Sequence, residues 1–397
     1  MKILRAIRSM DPQGGGVASS VQEMSMALKN RGHEVEIVSL DSPLAPWVIN
    51  NLIPIHALGP VQTRYGYTSK YIPWLKKHIQ QYDAVIVEGL WQYHSFGVWR
   101  ALQQSDIPYF VFSHGMLDFW FKQQYPLKHL KKWLYWPWAE YRVLRDAKAV
   151  FFTCEEERLS AQKSFWLYRC NEKVINLGTS IPLLESTQPP VKFFEKFPQL
   201  QNKRLLLFLG RIHPIKGCDL LIEAFARIVQ AERNLPLHLV IAGPDSICWQ
   251  AKLEKMAAKW ALNNQITWAG MLNNELKWGA LYSSEALILP SHHENFGMVV
   301  AEAMACSKPV LISNQVGIWR EIEQDGAGIV AADTLEGTTR LLKKWLAMNS
   351  QERVNMGKNA HKSFLNRFEI NKVADNFLAM MKSEYGNGSL PTTGITT

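Results

Sequence analysis

Short apolar runs recur along this chain. Each is followed by a polar or glycine-bearing turn, then by a longer stretch whose apolar residues fall every three or four positions. The opening residues set the pattern. "KILRAI" reads as a buried strand, "RSMDPQGGG" as a loop, "VASSVQEMSMALKNRG" as a helix stopped by Gly32, and "HEVEIVSL" as the next strand. A glycine just past the last turn supplies the left-handed conformation that ends many helices. Strand, helix and strand in this order predict a βαβ unit with parallel strands and a right-handed crossover. "YDAVIVEGL", "PYFVFSHG" and "KAVFFTC" continue the series between helical stretches. The first half is therefore expected to be a doubly wound α/β domain.

The pattern lapses around residues 178–202, where "GTSIPLLESTQPPVKFFEKFPQLQNK" has four prolines and no sustained periodicity. An interdomain linker is expected there. A second series follows, with strands "RLLLFLG", "LHLVIAG", "ITWAG", "ALILPS", "PVLIS" and "AGIVAA" and helices at 217–232, 248–261, 274–284, 297–306, 316–323 and 334–347. Regular alternation predicts a second parallel sheet covered on both faces. Two such domains are expected to face each other across a cleft, where ligands bind. The tail "GNGSLPTTGITT" is polar and aperiodic, and is expected to be disordered.

Composition narrows the class. The 397 residues exceed what one ordinary core organises, and 47% hydrophobic with 20% charged residues is a globular balance. No apolar run approaches the ~18 residues of a membrane span. The start "MKILRAIRSMD" lacks a signal peptide's apolar core and cleavage site, so a cytoplasmic protein is expected. Five scattered cysteines without a C-x-x-C pair argue against zinc or a disulfide framework. The net charge of +9 suits nucleic acid, anionic lipid or phosphorylated small molecules. No helix-turn-helix, RNP or zinc-finger signature occurs, so nucleic acid is not an expected partner.

The candidate chemistry sits at the ends of expected strands. In "SHHENFGMVVAEAMA", Glu294 falls in the loop after "ALILPS", and Glu302 lies inside the following helix, about 7–8 Å further along at 1.5 Å per residue. The amides of Asn295, Phe296 and Gly297 lie at a helix N-terminus, where unpaired N–H groups suit hydroxyl or phosphate oxygens. Two acids so placed could grip two parts of an extended, hydroxyl-rich ligand. They could equally be a capping acid and a solvent-facing helix residue. In "FLGRIHPIKGCDLLIEAF", Arg211 and Lys216 leave a strand and enter a helix, and could either bind a diphosphate or be two surface cations. Gly15 and Gly16, with Gly14, could let backbone approach a phosphate or form a flexible loop. No D-x-D pair occurs, so no metal site for a diphosphate is expected.

The 291–305 stretch resembles the E-x7-E motif of retaining glycosyltransferases of family 4, the nucleotide-sugar transferases with the GT-B fold. The match departs at Ser307, where that family usually has glycine. The resemblance implies that Glu294 contacts the donor sugar and Glu302 the ribose. It implies that Arg211 and Lys216, within "GR…KG", bind the donor diphosphate with Gly15 and Gly16 facing it, and that His114, within "HGML", lines the sugar pocket near the reacting carbon. Glu88 stands where a histidine is expected in related sequences. The expected fold is then GT-B: α/β, two Rossmann-like domains at 1–185 and 203–366, a C-terminal helix at 367–383 packing back on the first, and a tail at 384–397. The implied reaction moves a hexosyl unit from a nucleoside-diphosphate sugar to a glycan or lipid-linked acceptor hydroxyl, with retention and without a metal.

Residues 119–145 carry six Lys and Arg against one acid, Glu140, interleaved with tryptophans. Lys128, Lys131, Lys132, Trp133 and Trp136 would suit an anionic membrane surface or an acceptor, and such a pattern would also suit stacking on single-stranded nucleic acid. A half-buried helix pair with lysine stems over tryptophans accounts for the same pattern. Rival functions are a GT-B nucleotide-sugar epimerase, a phosphorylase with pyridoxal phosphate, and a non-catalytic membrane-surface binder. The last would have no use for Glu294, Arg211 and Lys216 together.

Overall fold

A computed structural model describes residues 1–12, 15–180, 188–232 and 236–385. Gly14, part of the expected linker at 181–187, and the expected tail from 386 lie outside the described residues. The chain divides into two compact units, Met1–Gly178 with the segment from Ile370, and Thr179–Glu369.

The first unit is built on seven parallel strands: β1 (Lys2–Ile7), β2 (Glu34–Ser39), β3 (Ile55–Ala57), β4 (Ala84–Glu88), β5 (Tyr109–Phe112), β6 (Ala149–Phe152) and β7 (Glu172–Val174), in the order β3-β2-β1-β4-β5-β6-β7. The central strands read as unbroken apolar runs because helices cover both faces. Leu4, Ala6, Val85, Val87 and Val111 point into one core, and Ile3, Ile7, Ala84, Ile86 and Phe110 into the other. The helix Gly16–Asn30 ends as expected: Gly32 has φ +80°, its N–H donates to Lys29 O, and His33 N–H donates to Leu28 O. The last helix, Ile370–Tyr385, belongs to this unit. Arg31 donates to Asp375 and Asn371 on it, and its Phe377 packs 5.7 and 5.4 Å from Phe112 and Phe151.

The second unit has six parallel strands: β8 (Arg204–Leu209), β9 (Leu237–Ala242), β10 (Ile266–Gly270), β11 (Ala286–Leu289), β12 (Val310–Ser313) and β13 (Gly328–Ala331), in the order β10-β9-β8-β11-β12-β13. All six were expected from the apolar pattern. The short edge strands β3 and β7 of the first unit were not, because their residues are only half buried and leave no apolar run. The expected linker also differs. It contains the helix Gln188–Lys196 within the second unit, anchored by buried Phe193 and by a 2.8 Å ion pair from Lys192 to Glu275 on the helix Asn274–Ser283.

Ser307 keeps the turn that glycine would make. Its φ is +57°, its N–H donates to Met304 O, and Lys308 N–H donates to Ala303 O. The helix Met298–Ala305 therefore ends in a left-handed cap despite the side chain.

Candidate functional site

In each sheet the strand order reverses once near the middle, between β1 and β4 and between β8 and β11. At such a point neighbouring loops leave in opposite directions and open a crevice at the carboxyl ends of the strands.

In the second unit the loops at this point bring one expected cation, Lys216, to one expected acid, Glu294. The loop after β8 turns through His213, whose Nδ1 accepts from Ile215 N, into a short 3-10 turn ending at Lys216. Gly217 follows at φ +67°, and a Cβ there would collide with the carbonyl oxygen of Pro290 just past β11. His292 N–H donates to Ile215 O at 2.8 Å, which ties the two loops together. As a result the Lys216 ammonium, 78 residues away in sequence, donates directly to the Glu294 carboxylate. Glu294 is held by backbone as well: its N–H donates to Gln315 O and its carbonyl accepts from Gly317 N. Gly297 caps the next helix at φ +89°. Phe296 turns its ring into the core, edge-on to Phe368 at 5.7 Å, so only its backbone is available at the loop.

Glu302 is paired with Lys277 at 2.8 Å, a partner that nothing in the local sequence announced. Arg211 is exposed, and among the described residues it has no ion pair within 4 Å. Burial, with the charges of Arg211 and Lys216, holds the nearby His213 below its ordinary pKa. The loop thus carries Arg211 and Lys216 on either side of an imidazole whose charged form is disfavoured.

The first unit carries a second constellation. His114 follows β5 at φ +48° and its Nε2 lies 2.7 Å from Glu88 Oε2. The other Glu88 oxygen accepts from Arg5 Nε and Nη2 at 2.9 and 2.5 Å. Glu88 is 2% exposed. Burial pushes its carboxyl up, but Arg5 and His114 outweigh it and hold it below the usual carboxylate range. A residue that sequence reasoning treated only as a departure is therefore the group that orients His114 and leaves Nδ1 for other partners. The loop is braced from below by buried Glu157, which accepts from Gly115 N, Ser113 Oγ and Thr153 N. Gly15 has φ +106°, and a Cβ at Gly15 or Gly16 would meet nothing within 4 Å.

The basic-aromatic segment forms the helices Trp120–Gln124, Pro126–Tyr135 and Glu140–Asp146. Trp136 is a correction. It is fully buried, stacks on Phe165 at 4.5 Å and donates from Nε1 to Trp166 O, so it is core and presents no surface. Lys128 and Lys131 are exposed, as is Trp133 at 42%. Leu127, Leu130, Leu134 and Trp138 are exposed beside them. Lys132 turns inward over Trp91 at 4.5 Å and Phe121 at 5.5 Å. Among the described residues, no group of three His, Cys, Asp or Glu side chains is placed to hold a metal ion, and no helix is long and apolar enough to cross a membrane.

Residues 15–166 match the family description "Glycosyl transferase 4-like domain", and residues 191–363 match "Glycosyl transferases group 1". A D-inositol 3-phosphate glycosyltransferase of Thermomonospora curvata is 35% identical over 134 residues, 32% of this chain and 31% of that protein. An alpha-D-kanosaminyltransferase of Streptomyces kanamyceticus is 26% identical over 195 residues, 49% of each chain. The match to the first of these thus spans about a third of that relative's length. Among solved structures, Anabaena HepE in complex with UDP and glucose superposes with a TM-score of 0.76 at 17% identity, covering 96% of this chain and 100% of that one. Sucrose-phosphate synthase from Thermosynechococcus elongatus gives 0.77 at 18%, covering 97% and 99%. At these identities the likeness is one of fold.

Proposed function

The chain belongs to the group 1 glycosyltransferases and has their GT-B type of architecture, and from that premise we propose that it transfers a hexosyl unit from a nucleoside-diphosphate sugar to an acceptor hydroxyl. The observation that carries this reading is the meeting of Lys216 and Glu294 at the strand-order reversal of the second unit, in a loop that also carries Arg211. In our reading Arg211 and Lys216 hold the donor diphosphate, and the Gly15–Gly16 backbone is a further candidate for binding it. Glu294 and the amides of Asn295 and Gly297 hold the sugar, and Glu302 the ribose. UDP and glucose, bound by HepE of like fold, are the first donor components to test.

The residues from Thr179 to Glu369 would bind the donor, and those up to Gly178 with the last helix would serve the acceptor. His114, oriented by Glu88, would act on the transferred sugar. Retention would follow a front-face course. The bond from the anomeric carbon to the phosphate oxygen breaks, the acceptor oxygen bonds to the same face, and its proton passes to the departing phosphate. Fixed cations would stabilise that leaving charge in place of a metal. Exposed Leu127, Leu130, Trp133 and Leu134 beside Lys128 and Lys131 favour an acceptor met at an anionic membrane surface, in polysaccharide or lipid-linked oligosaccharide assembly on the cytoplasmic side.

A thermal-shift screen against UDP, GDP, ADP and their sugar conjugates, with and without EDTA, tests the donor site. Only ligands that bind the folded state raise the melting temperature. The expected result is stabilisation by one nucleotide despite EDTA, lost in Arg211→Ala/Lys216→Ala. Binding that ignores both cations would sink the assignment.

A further inference from the structure

The helix Pro126–Tyr135 has two unlike sides. One exposes Leu127, Leu130 and Leu134. The other closes a cavity of about 380 Å³ within the first unit, walled by Phe121, Tyr125, Lys128, His129, Lys132 and Phe165. Met116, two residues past His114, forms part of the same wall, so the cavity adjoins the His114 loop along the chain. The size lies within the range of small-ligand pockets.

Its chemistry is unbalanced. Lys132 lies against the faces of Trp91 and Phe121. Among the described residues it makes no ion pair within 4 Å, although the charge of buried Glu140 acts on it. The one carboxylate in the wall, Asp118, already accepts at Oδ1 from Ser160 Oγ at 2.7 Å and from Trp120 N at 2.8 Å. His129 stacks on Phe165 at 4.6 Å, and Lys128 sits over Tyr125 at 4.7 Å. Burial pushes the Lys132 ammonium down to about 8, while the buried Glu140 carboxylate, whose Oε1 accepts from Trp91 N, pulls the other way.

We propose that this cavity is the binding site for a phosphate-bearing acceptor: Lys132, Lys128 and His129 hold the phosphate, and Phe121, Tyr125 and Phe165 pack on the sugar or other apolar body. Three separate nitrogen donors match the three terminal oxygens of a phosphate group better than the two of a carboxylate. Aromatic faces suit the C–H edges of a pyranose. The proposal deepens the transferase reading above by naming the acceptor's chemical class, and rests on it.

The test uses the full chain carrying Arg211→Ala/Lys216→Ala, so that the other cationic loop does not capture phosphate. Calorimetry measures binding of glucose 6-phosphate, inorganic phosphate and glucose. Flotation measures binding to phosphatidylcholine vesicles with and without phosphatidylglycerol. Lys132→Met removes the charge but keeps the stem, Lys132→Arg restores it, and Lys76→Met removes an exposed charge elsewhere in the unit. The expected result is glucose 6-phosphate binding that weakens roughly tenfold in Lys132→Met, recovers in Lys132→Arg and is unmoved by Lys76→Met, with glucose alone binding far more weakly. The same pattern on phosphatidylglycerol vesicles instead would assign the phosphate to a lipid. Absence of phosphate binding, or binding by either probe that does not distinguish Lys132→Met from Lys76→Met, overturns the proposal. UDP binding by the chain with Arg211 and Lys216 intact is read separately. Its presence keeps the transferase reading whatever the cavity does, and only failure of UDP, GDP and ADP alike counts against that reading.

Discussion

Replacing Glu88 by glutamine isolates the part of the first unit that no local pattern revealed. The substitution keeps shape and one carbonyl acceptor but removes the charge that faces Arg5 and His114 inside the sheet. Breaking a buried ion pair from one side costs about 3–5 kcal/mol, because the surviving charge is left without compensation. The retained carbonyl places Glu88→Gln at the lower end, about 3 kcal/mol. At about 1.4 kcal/mol per decade this is roughly a hundredfold in the opening equilibrium of β1 and β4. Amide hydrogen exchange reads it directly on peptides from those strands, with peptides from β8 and β11 as the internal reference. The pH dependence is a second arm. The folded Glu88 carboxyl titrates below its unfolded range near 4.3, so its contribution is full above that pH and fades as pH falls through the lower folded value. The gap between wild type and Glu88→Gln should therefore hold from neutral pH to about 4.3 and narrow below it. Exchange in β1 and β4 within about threefold of wild type, under 1 kcal/mol, would refute the reasoning. So would a gap that stays constant far into acid.

Burial holds the fully buried His94 down to about 4, so it stays neutral while an unfolded histidine protonates near 6.5. Stability should be full above pH 6.5 and fall by roughly 3 kcal/mol as pH drops to about 4; urea midpoints across that window should flatten in His94→Gln, and an unchanged slope would count against burial as the cause. Ser307→Gly relieves a left-handed φ at a helix cap and should stabilise the second unit by about 0.5–1 kcal/mol, read from its denaturation midpoint, with a loss of stability contradicting the cap assignment.

The sheets were legible because both their faces are buried. Strands such as Leu205–Phe208 and Ala84–Val87 must be apolar at every position, and such runs stand out in a sequence. The left-handed turn at Gly32 was legible for a local reason, since few residues tolerate that backbone. Edge strand β3 was not legible, because nothing on its outer side demands apolar residues. Trp136 was misread for a related reason. A short basic helix shows which residues are aromatic, but the packing of Phe165 decides which one turns inward.

The sequence alone determined the order of the buried strands and the helices between them, the two-unit organisation and the stations of the candidate acids and cations at strand ends, because these follow from local periodicity and turn chemistry. The tertiary structure alone decided which of those groups meet. Lys216 reaches Glu294 across 78 residues, Arg5 reaches Glu88 across 83, and Glu88 reaches His114 across 26. Parallel strands joined by right-handed crossovers bring carboxyl ends side by side regardless of separation along the chain. Such pairings depend on sheet order, and sheet order is a property of the whole fold.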